Sequence, residues 1–215
     1  MAPLVKLVSI TPDAQHLIAY CARVSNPSNQ QNLDTEEKLL RYLIDHNHWS
    51  PFEMANMVVE INTTRAIAPQ ILRHRSFSFQ EFSQRYADVT AIGSPIVPTL
   101  RRQDTKNRQN SIDDLTVDKT QIYYRRISQH FAEAEDLYRE MVSNGVAKES
   151  ARAVLPLASP TRLYMNGTIR SWIHYCDLRM GLGTQKEHRE IALNVMELLC
   201  QQLPAVAKAL MWKHN

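Results

Sequence analysis

"RHRSFSFQEFSQRY", Arg73–Tyr86, sets three arginines, one histidine, three serines and one glutamate among three phenylalanines within fourteen residues. A hydrophobic core excludes such charges, and a plain solvated face has no use for the phenylalanines. A site that grips a charged ligand with a flat apolar part uses both. Arg73, Arg75 and Arg85 are fixed cations, Ser78 and Ser83 offer hydroxyl donors, and Glu81 is an acceptor able to read an N–H or orient an arginine. Charge-assisted hydrogen bonds contribute roughly 1.5–3 kcal/mol each. Two or three arginines on one phosphate therefore suffice to anchor a nucleotide at about micromolar strength. The competing reading is a helix end with solvated arginines, since cations favour helix C-termini. Chemistry alone leaves both open.

Immediately ahead, "TTRAIAPQILRH" predicts a helix capped by Thr63 or Thr64, with Pro69 in its first turn and the arginines at its C-terminal end. "MANMVVEIN" alternates, with Met57, Val59 and Ile61 on one face, and predicts a strand with one wetter side. "LDTEEKLLRYLIDHNHW" predicts a helix with Asp34 as cap, Glu37 three residues on and an apolar stripe of Leu39, Leu40 and Leu43. Behind the arginines, residues 87–118 are polar and aperiodic, a long connection of the kind that is functional or disordered. A long helix follows, striped by Tyr123, Ile127, Phe131, Ala134, Tyr138 and Met141 and ended at Gly145. "KESARAVL" reads as a short helix stopped by Pro156, and "TRLYMNG" as a strand. "TIRSWIHYCDLR" has helical spacing, with Trp172, Tyr175 and Leu178 expected to face the core. After the break at "MGLG", Thr184 and Glu187 form a capping box for a last helix that Pro204 interrupts. Helices dominate, and the strands are too few and too irregularly spaced for a doubly wound sheet, which predicts an α+β fold.

The 215 residues hold 44% hydrophobic and 22% charged residues, enough for one substantial core in one domain. No apolar run approaches a bilayer-spanning length, so no membrane partner is expected. The first residues lack the long apolar stretch of a secretory leader, and Cys21, Cys176 and Cys200 are scattered, which points to a reducing cytoplasm. A net charge of +3 is too weak to argue for nucleic acid. Seventeen arginines against eight lysines lean toward anion recognition by the planar guanidinium fork. With no GxGxxG and no GxxxxGK[ST], side chains and helix ends must hold any nucleotide. No metal site is expected, because His46 and His48 in "DHNHW" point apart on a helix and no second cluster completes a ligand set. His130 and His214 read as surface residues.

The Arg73–Arg85 string fits R-H-R-x-x-S-x-x-x-x-S-x-R on six fixed positions, Arg73, His74, Arg75, Ser78, Ser83 and Arg85. Chance gives such a match roughly once in tens of millions of starts. The pattern resembles the signature of the flavin-dependent thymidylate synthases. "HWSPFE", Gln70, "ARAVLP", "RSWIHYCDLR" and "GTQKEHREIA" resemble the same family in the same order, from about residue 20 to about 195.

The resemblance implies an α+β fold with helices packed on a small central, mainly antiparallel sheet, one domain over residues 1–215, and a homotetramer whose active sites draw on several subunits. It implies methylation of dUMP to dTMP, with 5,10-methylenetetrahydrofolate as carbon donor and FAD, reduced by NADPH, as hydride source. By match of position, Gln70, Arg73, Glu81, Ser83, Gln84, Arg85 and Arg152 hold dUMP, with Ser83, Arg85 and Arg152 facing its phosphate. Arg179 matches the arginine that stabilises the pyrimidine N3 as an anion, a fixed cation favouring the charged form of its neighbour. Ser50, Arg73, His74, Arg75, Glu81, Thr168, Arg170 and His174 match flavin contacts, and His48 lies on the folate side. Some relatives carry asparagine where this chain has Thr168 and His174. The stretch "MGLGTQKEH" is longer here than in some relatives, so the family's flavin-touching histidine there is matched neither to Gln185 nor to His188, and the residue of 180–188 that meets flavin stays open. The family's mechanism also fits the absence of an arranged base beside Cys21, Cys176 and Cys200, each of which reads as a buried structural cysteine. Ser83 likewise lacks a base that would make it a nucleophile, and keeps a binding role. Two other readings remain: an arginine-rich nucleic-acid module, and a flavoprotein performing another reduction.

Overall fold

The computed structural model describes residues 4–212, and His214 lies outside them. In chain order the elements are β1 (Val5–Ile10), α1 (Ala14–Ala22), α2 (Glu36–Asp45), β2 (Asn56–Thr64), α3 (Ala68–Ile71) and β3 (Ser78–Glu81). Then come the two-residue strands β4 (Arg102–Gln103) and β5 (Ser111–Ile112), the long α4 (Val117–Ser143) and α5 (Lys148–Ala151). The chain closes with β6 (Pro160–Thr168), α6 (Ile169–Arg179), α7 (Lys186–Gln202) and α8 (Pro204–Ala209).

The main sheet runs β1-β2-β6-β3 and is antiparallel throughout, as the α+β reading requires. Its spine is the β2–β6 pair, matched from Asn56↔Thr168 to Thr64↔Pro160 without a shift. A bulge between Leu7 and Ser9 bends the edge strand β1. Met57, Val59 and Ile61 from β2 and Leu163 and Met165 from β6 turn into one core. Trp172 and Tyr175 of α6 and Ile191, Val195 and Leu199 of α7 meet them there. The buried Trp172 indole donates to the Met57 carbonyl at 2.9 Å, which satisfies its only polar atom and locks α6 to β2. Beneath the sheet's end Phe77 packs face to edge on Trp172, with centroids 4.7 Å apart. Only glycine at 167 admits it, since a Cβ there would lie 2.4 Å from the Phe77 ring.

Several local expectations are corrected. Thr63 and Thr64 do not cap a helix: they finish β2, paired with Thr161 and Pro160, and α3 is a single turn with Pro69 near its start. The RHR segment does follow directly on the C-terminal end of α3, as expected, and continues as a turn into β3, a strand that was not expected there. Asp34 does not cap α2, which starts at Glu36 with Thr35 at the cap position, though Leu40 and Leu43 are buried as expected. Thr184 and Glu187 make no capping box, for α7 starts at Lys186 and Glu187 is engaged by Arg101. Leu178 is 62% exposed, because α6 turns Trp172, Tyr175 and Cys176 inward. Residues 87–118 carry a short helical turn at Val89–Ile92 and the β4–β5 hairpin. The stripe on α4 buries only at Ala134 and Tyr138, while Tyr123 stays 52% exposed. Gly145 does end it, at φ +84°, and His130 is exposed.

Candidate active site

The RHR turn hangs between α3 and β3, and its residues divide by direction. Arg73 and Arg75 are exposed, with no ion-pair partner among the described residues. His74 turns inward and accepts a hydrogen bond at Nε2 from the Arg179 Nε–H, at 2.9 Å. An imidazole nitrogen that accepts is unprotonated. Burial, with the Arg179 charge beside it, accordingly drives the His74 pKa down to about 4. His74 packs edge-on against Tyr175, with centroids 4.9 Å apart, and lies 6.2 Å from His188.

His188, 0% exposed, is the floor of this corner. Its Nε2 faces the Tyr175 hydroxyl at 3.1 Å and its Nδ1 faces the Gln70 side-chain oxygen at 3.4 Å. Burial, then the Arg179 and His74 neighbours, holds its pKa at about 4. Gln70 donates to Gln185 at 2.8 Å, so the stretch after α6 brings both Gln185 and His188 to the signature. His188 is walled in by protein, whereas Gln185 is exposed at the rim.

A second corner is basic. Arg65, Gln84, Glu149, Arg152, Leu155 and Ser159 line one cleft of about 400 Å³. Arg152 has no ion-pair partner among the described residues, and Arg85 reaches Glu149 at 3.1 Å in a solvent-exposed pair that is easily exchanged. Glu81 accepts from Arg65 at 2.6 Å and from the Thr161 hydroxyl at 2.9 Å through one oxygen, leaving the other for a ligand donor. Ser83 is half-buried between Glu81 and these arginines in sequence. Sequence reasoning missed Arg65, although a lone arginine in the apolar "TTRAIAPQIL" was the available signal.

A third group stands apart. Ser50 opens a short helical turn, Ser50–Glu53, whose Glu53 pairs with Arg170, and His174 lies against Trp49 with centroids 4.9 Å apart. His48 is exposed nearby in sequence. Thr168 caps α6 by accepting from the Ser171 N–H at 3.2 Å, a structural task for a residue matched to a flavin contact. Arg170 and Arg179 are separated by nine residues of α6, about 900° of rotation, and so project from opposite sides of the helix. One chain therefore unites Gln70, His74 and Arg179, and separately Gln84, Arg85 and Arg152, but does not bring Ser50, Arg170 and His174 to the Arg179 side.

Unpaired guanidiniums beside a neutral histidine and an aromatic floor suit an anionic ligand with flat rings, the donor set that FAD and a nucleotide both need. The cysteines do not compete for the chemistry. Cys176 is buried with its thiol pushed up by burial, and Cys200 is buried beside Met196. Cys21 is only half-buried, short of the buried setting expected of it. Among the described residues no group of three or more His, Cys, Asp or Glu could hold a metal ion, and no helix is long and apolar enough to cross a membrane.

Such a fold and site define an α+β protein whose arginine-rich turn offers free cations to an anionic ligand. The family model of the thymidylate synthase complementing proteins matches residues 6–205. The chain is 49% identical over 214 residues to a probable flavin-dependent thymidylate synthase of Paramecium bursaria Chlorella virus 1, covering 96% of this chain and 98% of that one. It is 53% identical over 196 residues to a flavin-dependent thymidylate synthase of Synechocystis, covering 91% and 89%. A crystal structure of a UMP/dUMP methylase, PolB of Streptomyces cacaoi, bound with 5-Br UMP, superposes with a TM-score of 0.84 at 25% identity, covering 96% of this chain and 92% of that one. The chain belongs to the flavin-dependent thymidylate synthase family.

Proposed function

We propose that the protein performs the reductive methylation of dUMP to dTMP, with 5,10-methylenetetrahydrofolate as carbon donor. Bound FAD, reduced by NADPH, supplies the hydride. The observation that carries this reading is a family-matched chain in which the RHR turn delivers His74 to Arg179 at 2.9 Å.

Arg85, Ser83 and Arg152 hold the nucleotide phosphate, and Gln84 and Glu81 read the rest of dUMP beside Arg65. Gln70 and Arg179 face the pyrimidine, where the guanidinium favours an anionic N3 and so a more nucleophilic ring carbon. Arg73, Arg75 and the neutral His74 hold the flavin with Ser50, Thr168, Arg170 and His174, and His48 stands on the folate side. Because Arg170 and His174 project away from Arg179, the working site takes these two groups from different subunits of a homotetramer. The domain spans residues 1–215, the setting is cytoplasmic, and nucleic acid is not a partner.

The test is spectroscopic. Purified protein should be yellow or take up added FAD, and anaerobic NADPH should bleach it with a rate or spectrum that responds to dUMP. Bleaching indifferent to dUMP would assign another flavin reduction, and a protein that refuses FAD altogether would sink the proposal.

A further inference from the structure

The floor of the first corner is tied to a distant part of the chain by one line of hydrogen bonds. Arg101, from the connection before the β4–β5 hairpin, donates to both carboxylate oxygens of Glu187, at 2.7 and 3.0 Å. Glu187 also accepts from the Gln185 side-chain amide at 3.0 Å. Gln185 accepts from Gln70 at 2.8 Å, the Gln70 oxygen faces His188 Nδ1 at 3.4 Å, and His188 Nε2 faces the Tyr175 hydroxyl at 3.1 Å.

Each link has a polarity, and only one end fixes it. An ionised carboxylate accepts and cannot donate, whereas a carboxamide offers either face and a neutral imidazole either tautomer. Burial opposes the charge on Glu187, but the hydrogen bonds from Arg101 and Gln185 outweigh it and hold the carboxyl below its usual range. The NH2 end of Gln185 must then face Glu187, which turns its oxygen to Gln70. Gln70 in turn must give Gln185 its NH2 end and His188 its oxygen. Facing an acceptor, His188 Nδ1 must carry the ring proton, and Nε2 is left to accept from Tyr175.

We propose that Glu187, clamped by Arg101, is a positioning residue that sets His188 as the Nδ1–H tautomer and fixes the orientation of the Gln70 amide. Only the consequence for substrate rests on the dUMP reading: Gln70 keeps one N–H uncommitted, ready for a carbonyl oxygen of the uracil ring, and cannot turn its oxygen there without breaking the line.

The tautomer is measurable without substrate or turnover. Protein labelled with 15N-histidine, the His188 resonances assigned through their contact with Tyr175, should show a protonated Nδ1 and a bare Nε2 near neutral pH. Glu187→Ala should convert this single form to an exchanging mixture, and Gln185→Leu, which spares the Arg101–Glu187 pair, should do the same if the first variant does not fold. A protonated Nε2 in the wild type, or an unchanged Nδ1–H form in the folded variants, would overturn the proposal. Either result leaves the flavin and dUMP test standing on its own.

Discussion

Arg179 and His74 lie 105 positions apart in sequence and meet through one hydrogen bond, so each sets the other's behaviour. Arg179→Ala should cut turnover at least about a hundredfold, the usual cost of losing a donor aimed at developing charge. Flavin content of the purified variant should stay near wild type, and His74 should titrate closer to an ordinary imidazole. Turnover within a fewfold of wild type would remove Arg179 from the chemistry. The two neutral histidines also make stability pH-dependent. Unfolded, they take up protons near 6.5, and folded only near 4, so the unfolded chain binds more protons between those values. Their contribution is complete above about pH 6.5 and is lost as pH falls toward 4, by up to ~1.4 kcal/mol per pH unit for each group. Melting temperatures between pH 7 and 4.5 should fall less steeply for His188→Gln than for the wild type, and parallel slopes would refute the assignment. The Arg73–Arg85 stretch was legible because charges among phenylalanines are costly and so conspicuous, whereas distant residues such as Arg152, Arg170 and Arg179 entered only by match of position to the family. Arg65 and Arg101 were not legible, since an arginine's meaning depends on its partner, and the Glu187 that Arg101 grips is 86 positions away.

At the scale of elements, legibility followed the contrast between a strand's two faces. β2 could be read because Met57, Val59 and Ile61 are buried while their neighbours are half-wet. β3 could not: four residues give a weak alternation, and the segment behind the arginines reads as a connection. The threonines before α3 looked like caps, yet pairing with β6 across the sheet outweighed that local preference. The seam between β3 and β6 gives a sharp prediction. A methyl at 167 would sit 2.4 Å from Phe77, whose ring is wedged against Trp172, so it cannot be absorbed by a small rotation. Gly167→Ala should destabilise by about 1–3 kcal/mol. Chemical denaturation measures it, and a variant as stable as wild type would mean that Phe77 has room to move.

For the molecule as a whole, the opposite projections of Arg170 and Arg179 predict complementation. Arg170→Ala and Arg179→Ala should each be nearly inactive alone. Mixed under conditions of subunit exchange, they should regain measurable activity, because some sites then receive both intact halves from different chains. Mixtures no better than their components would place every site within one subunit. The β2–β6 pairing carries a further consequence, for biogenesis. Glu60 waits for Tyr164, and every residue of β2 has its partner about a hundred positions downstream. During synthesis β2 emerges long before β6, α6 and α7, which complete the sheet and the core around it, and no amount of early helix formation shortens that delay. The ribosome releases a half-sheet with an open hydrogen-bonding edge, and the nascent chain must be kept from pairing with its neighbours until residue 168 is out.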